Sequence, residues 1–340
     1  MSQGMQEYID RLCNFGTLSG EQFVSLLRYR NPEITGYLYH EATEVSMRHF
    51  QKGIFLWGRI PFSDYCKNDC KYCGLRRSNR FVHRYRLSRE EILGCCHKAY
   101  EQGVRHFLLE GGVDIAFDKE QLSEIVRAIR KHFPKAQVHI EMGERPRDLY
   151  EQLRREGAQS AIMPEGTADD SHFRSMHPGN LSLLRRKQCM WELKEIGYDT
   201  GAGFLVGTPG QTIEQVADNL LFLKQYGPNI LQIQPFLPAL HTPYEKERSG
   251  NGEMVLYVMA ILRLMFPAAA IIADTSLEQT MHNGRLQALQ AGANVIIQDL
   301  PLPTGKGPYT VYHSRNRNHE DHLQWLVEQI ENEGYDVQSS

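Results

Sequence analysis

Three cysteines within eight residues carry the strongest chemical signal in this sequence. Cys66, Cys70 and Cys73 are spaced C-x3-C-x2-C and follow directly after a short apolar run. With seven cysteines in 340 positions, chance would produce this spacing about 0.003 times. A loop of this kind can present three thiolates to three irons of a cubane and leave the fourth iron open to a small molecule. The motif therefore predicts a 4Fe-4S cluster.

Two alternatives to a cluster remain open from the residues alone. A structural zinc ion would need a fourth ligand, and His83, ten residues beyond Cys73, can supply one. The three cysteines can also be free of metal. We expect the remaining cysteines to be small buried apolar side chains in helices; these are Cys13, Cys95, Cys96 and Cys189. An odd number of cysteines without a secretory signal argues against a disulfide framework.

The elements that must position the cysteines follow an alternating rhythm. From about residue 53, short apolar runs alternate with amphipathic helical patterns, and many joints carry turn residues. The predicted strands are 54–60, 106–110, 137–141, 160–163, 199–206, 230–235, 269–273 and 294–298. The predicted helices are 89–102, 119–132, 146–156, 181–196, 213–226, 254–265 and 279–291. Eight strands with intervening helices predict an α/β fold, a (β/α)8 TIM-type barrel, with a doubly wound open sheet as the alternative.

Three parts are expected along the chain. Residues 1–50 predict an N-terminal helical cap, 51–300 the barrel, and 301–340 a C-terminal extension that closes the barrel and ends in a helix at about 319–331.

Local signals mark several helix ends. Ser88 and Glu91 form a capping box pattern, and a glycine follows the end of four predicted helices; these are Gly103, Gly157, Gly197 and Gly227.

Composition narrows the classes of partner. The net charge of -3 gives no general attraction to polyanions, so nucleic acid is not expected as a partner. No stretch reaches the roughly 18 apolar residues that span a bilayer, and the polar start has no secretory layout. We therefore expect a cytoplasmic protein with no membrane partner.

The cysteine loop, leaving the first predicted strand, resembles that of the radical SAM superfamily. The resemblance implies that the open iron binds S-adenosylmethionine (SAM), and that an electron from the reduced cluster breaks its sulfonium bond to give methionine and a 5'-deoxyadenosyl radical. It also implies anaerobic chemistry and a reducing partner such as a flavodoxin or ferredoxin. Tyr72 matches the family's aromatic residue near the adenine, unless it is simply a packed tyrosine.

The same resemblance implies SAM contacts on other strand ends. Gly111 and Gly112 match a Gly-Gly-Glu motif after strand two, although Val113 stands where the family has Glu, which leaves Glu110 or Asp114 as substitutes. Glycines at such positions let a backbone approach a ligand closely. The further candidates are Glu165 for the ribose hydroxyls, Gly203 and Val206 beside the adenine, and Arg186 for the SAM carboxylate, with a solvated surface charge as the alternative for Arg186.

Within the superfamily, the chain resembles the HydE family of FeFe-hydrogenase maturases. The matching segments are 73–79 (CGLRRSN), 84–88, 198–203, 207–212, 235–238, 242–243 and 291–295. This resemblance implies a small cysteine-bound iron complex bearing CO and cyanide as the substrate, processed during assembly of the diiron subcluster. The expected substrate contacts in the barrel are Glu141, Thr275, Ser276, Tyr309 and Tyr312, each of which can instead be a packing or surface residue. Glu144 can face the same interior and form an acid/base pair with Glu141.

The sequence also departs from the HydE pattern. HydE proteins commonly have Arg-His-Glu-Thr-Ala after strand four, where this chain has Pro-Glu-Gly-Thr-Ala at 164–168. The lost arginine removes a cation that would hold an anionic substrate. Because no cysteine follows Cys189, we expect a single cluster, and no cysteine set for the sulfur cluster of biotin synthase is evident. A mutase like methylornithine synthase, acting on lysine, and a non-catalytic metal protein remain as alternative functions.

Overall fold

The computed structural model describes residues 2–306, 309, 311–312 and 322–338. Its helices are α1 Ser2–Phe15, α2 Gly20–Arg28, α3 Pro32–Phe50, α4 Arg89–Glu101, α5 Lys119–His132, α6 Arg147–Arg155, α7 Asp170–Met176, α8 Leu183–Ile196, α9 Ile213–Tyr226, α10 Gly252–Met265, α11 Gly284–Gln290 and α12 His322–Asn332. Its strands are β1 Gly53–Ser63, β2 His106–Gly111, β3 Gln137–Glu141, β4 Ala158–Ile162, β5 Asp199–Ala202, β6 Leu205–Val206, β7 Ile230–Gln232, β8 Gln234–Pro235, β9 Ala270–Ala273, β10 Val295–Asp299 and β11 Asp336–Gln338. No helix within these ranges is long and apolar enough to cross a membrane.

Eight parallel strands close into a barrel. Their order is β1-β2-β3-β4-β5-β7-β9-β10, and β10 pairs with β1 along the register Phe55 to Val295 through Arg59 to Asp299. This closing pair confirms the (β/α)8 barrel and excludes the open doubly wound sheet. Because all strands run the same way, their carboxyl ends, with the loops that follow them, meet at one end of the barrel. The cysteine loop leaves β1 at this end.

An extra layer of helices covers one side of the barrel. Helices α1 and α3 pack on α10, and α2 packs on α9, so α10 is apolar and buried almost all round. At the other end of the chain, β11 pairs in parallel with the start of β1, from Gly53 to Phe55. The chain therefore contributes elements from both its ends to the outside of one barrel.

Several helix ends form as the local signals predict. The Ser88 hydroxyl accepts from the Glu91 N–H, and the Glu91 side chain accepts from the Ser88 N–H, which completes the predicted capping box. Gly197 and Gly227 end α8 and α9 in the left-handed conformation. Gly103 and Gly157 also have positive φ just beyond α4 and α6.

Three predicted elements differ in detail from the structure. The predicted strands 199–206 and 230–235 are each split, because at Gly203 the chain turns its N–H to the Glu165 carboxylate and then pairs as β6 with β8. The predicted helix 279–291 is shortened to α11, Gly284–Gln290, and Gln279 instead ends a 3-10 helix that begins at Thr275. Helix α7 has no counterpart among the predicted elements. Of the predicted helix 319–331, positions 319–321 lie outside the described residues.

Candidate functional site

Hydrogen bonds from three parts of the molecule fix the cysteine loop, residues 64–87. Backbone N–H groups of the loop donate to carbonyl oxygens after β2, at the end of α7 and in the C-terminal segment. The pairs are Lys67 to Val113 at 3.0 Å, Lys71 to Met176 at 2.8 Å and Gly74 to Val311 at 2.8 Å. The thiols are therefore presented by a loop held at several points along its length.

Two arginines brace this loop from within. The Arg84 guanidinium donates to four carbonyl oxygens of the loop, those of Asp64, Leu75, Arg76 and Asn79. Arg86 forms two hydrogen bonds to the Asp114 carboxylate, at 2.6 and 2.9 Å, and Asp114 also accepts from the Ser63 hydroxyl. Asp114 thus binds the cysteine loop and does not line the cavity described below.

The three thiols fit a cluster better than a single metal ion. Within the described part of the chain, no three His, Cys, Asp or Glu side chains form a group that could hold one ion, and His83 is exposed. A cubane differs, because each thiolate binds a separate iron. Burial raises the pKa of Cys70 to about 12 and raises that of Cys73 further. The Asn68 N–H points at the Cys66 sulfur at 3.4 Å, a contact that favours the thiolate a metal needs.

Gly112 brings the end of β2 against the cysteine loop. A Cβ at this position would lie 2.2 Å from the Tyr65 carbonyl oxygen and 2.8 Å from the Cys66 Cβ. At Gly111 a Cβ would meet the Phe62 ring at 2.8 Å. From the sequence, glycine is expected here so that a ligand can approach the backbone closely. In the structure, neighbouring protein atoms already leave no room for a side chain. Their backbone also lines the cavity.

A cavity of about 870 Å³ occupies the carboxyl end of the barrel and brings most of the predicted site residues together. Eleven of them line it: Cys66, Tyr72, Cys73, Gly111, Gly112, Glu141, Arg186, Thr275, Ser276, Tyr309 and Tyr312. The cavity therefore runs from the cysteine loop into the barrel interior, with room for more than one small molecule. Cys70, Glu165, Gly203 and Val206 lie outside its lining.

Tyr72 and Arg186 form the wall beside the cysteines. The Tyr72 hydroxyl lies 3.2 Å from His177 Nε2, while His177 Nδ1 lies 2.9 Å from the Phe173 carbonyl oxygen. Because a carbonyl can only accept, Nδ1 carries the proton and Nε2 accepts from Tyr72; burial lowers the His177 pKa to about 3, so the ring is neutral. Arg186 donates to Glu144 at 2.6 Å and to the Pro164 carbonyl at 2.9 Å. Glu144 thus pairs with Arg186 and stands apart from Glu141.

Glu165 lies within the barrel wall. Its carboxylate accepts from the Gly203 N–H at 3.0 Å, and its second oxygen has no partner among the described residues. Burial raises the pKa of Glu165 to about 8. A Cβ on Gly203 would lie 1.8 Å from the Gln232 carbonyl oxygen, so this glycine serves strand packing. Val206 is buried.

Sequence reasoning misses the most connected side chain of the cavity, Arg59. From β1 its guanidinium reaches Asp299 at 2.5 Å, Asp274 at 2.8 Å and Glu110 at 3.3 Å. It also donates to the Thr275 hydroxyl at 2.8 Å. Burial acts to lower the pKa of Arg59, but the three carboxylates together raise it well above its usual value. The sequence does contain a signal that could identify Arg59. It is a single charged residue inside the otherwise apolar strand β1, and acidic residues lie at the ends of other strands.

The predicted substrate residues surround this arginine. Thr275 bridges Arg59 to the Tyr312 hydroxyl, 3.1 Å away. Tyr309 and Glu110 both line the cavity, and Glu110 stands opposite Glu141 in the register of β2 and β3. The arrangement provides a polar, charged interior next to the cysteine loop. Such an interior can hold a small polar molecule close to whatever binds the cysteines.

Comparisons with known proteins agree with this fold. The family model described as the radical SAM superfamily matches residues 60–223. The chain is 35% identical to the FeFe hydrogenase maturase subunit HydE of Thermotoga maritima, over 81% of this chain and 78% of that protein. It is 29% identical to 3-methylornithine synthase of Methanosarcina acetivorans, over 88% and 85% of the two chains. A crystal structure of methylornithine synthase (PylB) superposes with a TM-score of 0.88 at 27% identity and covers 97% of both chains.

The chain belongs to the radical SAM superfamily. It is therefore an enzyme that uses an iron-sulfur cluster and SAM, as the family does. The cysteine loop after β1 and the adjoining cavity are the parts of this chain that suit those two groups.

Proposed function

We propose that Cys66, Cys70 and Cys73 hold a single 4Fe-4S cluster and that the chain carries out a HydE-like step in maturation of an FeFe-hydrogenase, on a small substrate in the barrel. The observation that supports this most strongly is 35% identity to a HydE protein across four-fifths of the chain. The cavity that joins the cysteines to the barrel interior supports a reaction between SAM and a separate molecule.

Each part of the chain has a distinct task in this proposal. When bound, the cluster would supply the electron that cleaves SAM into methionine and a 5'-deoxyadenosyl radical. Arg84 and Arg86 keep the cysteine loop in place, and the described C-terminal residues Tyr309 and Tyr312 cover the cavity and exclude water. Arg186 offers a cation for the SAM carboxylate. The reductant is proposed to be a flavodoxin or ferredoxin.

A methylornithine synthase-like rearrangement of an amino acid is the second candidate function. The likeness to the methylornithine synthase structure extends over 97% of both chains. In addition, Pro164 stands where HydE proteins have an arginine, so the chain lacks one cation expected for an anionic substrate. Lysine turnover and activation of an FeFe-hydrogenase are the two assays that separate these candidates.

Anaerobic reconstitution tests the proposal itself. We expect about four irons per chain and dithionite-dependent formation of 5'-deoxyadenosine from SAM. The variant Cys73→Ala should lose both the brown chromophore and SAM cleavage, while Cys189→Ala, a buried cysteine of α8, should retain both. Wild-type protein that binds iron but never cleaves SAM would contradict the proposal.

A further inference from the structure

The end of helix α7 supports the part of the cysteine loop between the second and third cysteines. The carbonyl oxygen of Met176, the last residue of α7, accepts from the Lys71 N–H at 2.8 Å. Nε2 of the next residue, His177, lies 3.2 Å from the Tyr72 hydroxyl. Consecutive residues of the loop are thus bonded to consecutive residues at the end of one helix. The first contact joins main-chain atoms and holds the loop, whereas the second holds only the Tyr72 side chain.

His177 is itself fixed on two sides. Its Nδ1 donates to the Phe173 carbonyl oxygen at 2.9 Å, and its ring stacks on the Phe173 ring with centroids 3.9 Å apart. Nε2 then remains as an acceptor for Tyr72, whose ring meets the imidazole edge-on at 86°. His177 is 3% exposed and lies outside the cavity lining. A buried ring fixed in this way can hold its partner in one orientation.

Helix α7 is also attached to parts of the protein other than the cysteine loop. The Tyr244 hydroxyl, from the segment after β8, donates to the Ser175 carbonyl oxygen at 3.0 Å. The Arg186 guanidinium lies over the Phe173 ring, 5.7 Å from its centroid. Helix α7 therefore lies behind both Tyr72 and Arg186, the two side chains that form the cavity wall beside the cysteines.

The bond to His177 determines what Tyr72 offers to a ligand. A tyrosine hydroxyl has one proton to donate, and His177 receives it outside the cavity lining. Tyr72 therefore presents its ring to the cavity and no hydrogen-bond donor. Without the His177 acceptor the buried hydroxyl would lack a partner, which is costly, so the ring would turn toward another acceptor.

We propose that His177 is a positioning residue for SAM and acts through Tyr72, because its Nε2 holds the Tyr72 ring in the orientation that packs against SAM. This inference rests on the proposed function, since it requires SAM to bind beside a cluster on the three cysteines. It goes beyond that function by giving a role to a residue outside the cavity lining. It applies to both candidate reactions, because both begin from SAM.

Equilibrium dialysis of SAM against the reconstituted enzyme, without reductant, tests the inference. His177→Phe keeps an aromatic ring on Phe173 but removes the acceptor. We expect the dissociation constant of SAM to rise about three- to tenfold, which corresponds to one neutral hydrogen bond. His177→Gln returns a side-chain acceptor and should restore most of the affinity. Iron content, cluster absorbance without SAM and the thermal midpoint should match the wild type in both variants, and an unchanged SAM affinity in His177→Phe would overturn the inference.

The other half of the bond provides a second comparison. Tyr72→Phe should weaken SAM binding to a similar extent, and the double variant with His177→Phe should bind SAM no more weakly than either single variant. Additive losses would mean that the two residues act separately, contrary to the inference. If His177→Phe folds but loses iron, His177 supports the cluster loop and the inference is wrong. If His177→Phe does not fold, Tyr72→Phe alone decides, and wild-type affinity in that variant refutes the inference.

Tyr244→Phe is the matched control. It removes a different hydrogen bond of α7 and leaves the bond between Tyr72 and His177 in place, so it should keep the wild-type affinity for SAM. A loss as large as that in His177→Phe would show a general loosening of α7, and the inference would fall.

Dithionite-dependent 5'-deoxyadenosine formation by the wild type reports on the proposed function alone. A wild type that cleaves SAM, together with a His177→Phe variant that binds SAM equally well, refutes the inference and leaves the proposed function standing. A wild type with a cluster that binds no SAM contradicts both.

Discussion

Two buried arginines, one in the cavity and one in the outer helical layer, are stabilised in opposite ways. Arg59 faces three carboxylates in the barrel interior. Arg263 of α10 is fully buried and donates to four backbone carbonyl oxygens and to the Asn294 side chain. Burial lowers the pKa of Arg263 to about 9, whereas the carboxylates raise that of Arg59.

The contrast distinguishes a buried polar side chain that is bonded within the scaffold from polar side chains that face the cavity. Neutral carbonyl and amide oxygens accept hydrogen bonds from all three side-chain nitrogens of Arg263. Arg59 instead faces more carboxylates than it can neutralise. Close by, Glu141 Oε2 and Gln232 Oε1 are buried in side chains that line the cavity and have no hydrogen-bond partner among the described residues. Since unpaired buried groups are costly to folding, their retention in the cavity is expected where a ligand repays the cost. The same guanidinium chemistry therefore serves packing in one region and, in our proposal, the substrate site in the other.

Replacing Arg263 should have the largest effect on stability. Arg263→Met fills much of the same volume but leaves four buried or partly buried carbonyl oxygens without this donor. We therefore expect a loss of about 4 kcal/mol in the free energy of unfolding. Urea titration followed by circular dichroism measures this loss. The exposed Arg127→Met on α5 is the control and should leave the midpoint unchanged. A loss below about 1 kcal/mol would show that the carbonyls find other donors.

Replacing Arg59 should give a loss that depends on pH. Arg59→Met leaves Glu110, Asp274 and Asp299 without their cation, and burial already raises the pKa of Glu110 and Glu141. An acid whose folded-state pKa is raised stabilises the protein fully only below its unfolded pKa, and the benefit is lost as pH rises. We expect a loss of about 3 kcal/mol at pH 8 and about 1 kcal/mol at pH 5.5.

The outcome for Arg263→Met provides the comparison for this pH dependence. Its hydrogen-bond partners are carbonyl and amide oxygens, which do not titrate, so its loss should be the same at both pH values. If the loss of stability changes with pH in the same way in both variants, the two arginines are not stabilised differently. Unfolding midpoints of both variants at both pH values decide the question.

The sequence predicts the barrel and the cysteine loop because their signals are local. Strands appear as short apolar runs, the capping box lies within four residues, and the three cysteines within eight. The Arg59 network leaves no such signal, since its partners lie 51, 215 and 240 positions away. Only closure of the barrel brings them together. The glycines show a second limit of prediction from sequence. The sequence predicts that another group approaches Gly112 and Gly203 closely, but it does not reveal that this group is protein.

Glu165 is a buried acid that can be compared with the two arginines. Replacing it should change the stability of the protein least. Like Arg263, it is buried in the scaffold and held by a backbone group, the Gly203 N–H. Unlike Arg263, it has an unpartnered oxygen, and burial raises its pKa to about 8. The unfolded protein therefore loses this proton near pH 4.5 and the folded protein near pH 8. Between these values the stability of the wild type should fall as pH rises.

Glu165→Gln should remove that fall while keeping the hydrogen bond, because the amide oxygen can still accept from Gly203. We expect the variant to match the wild type near pH 4.5 and to be about 1 kcal/mol or more stable at pH 8. Thermal denaturation of metal-free protein without SAM measures this difference free of any role of Glu165 in ligand binding. A variant less stable than the wild type at pH 8 would mean that the folded protein prefers the ionised carboxylate. Glu165 would then resemble Arg59, a charged group held by charged partners. It would not resemble Arg263, whose partners in the scaffold are uncharged.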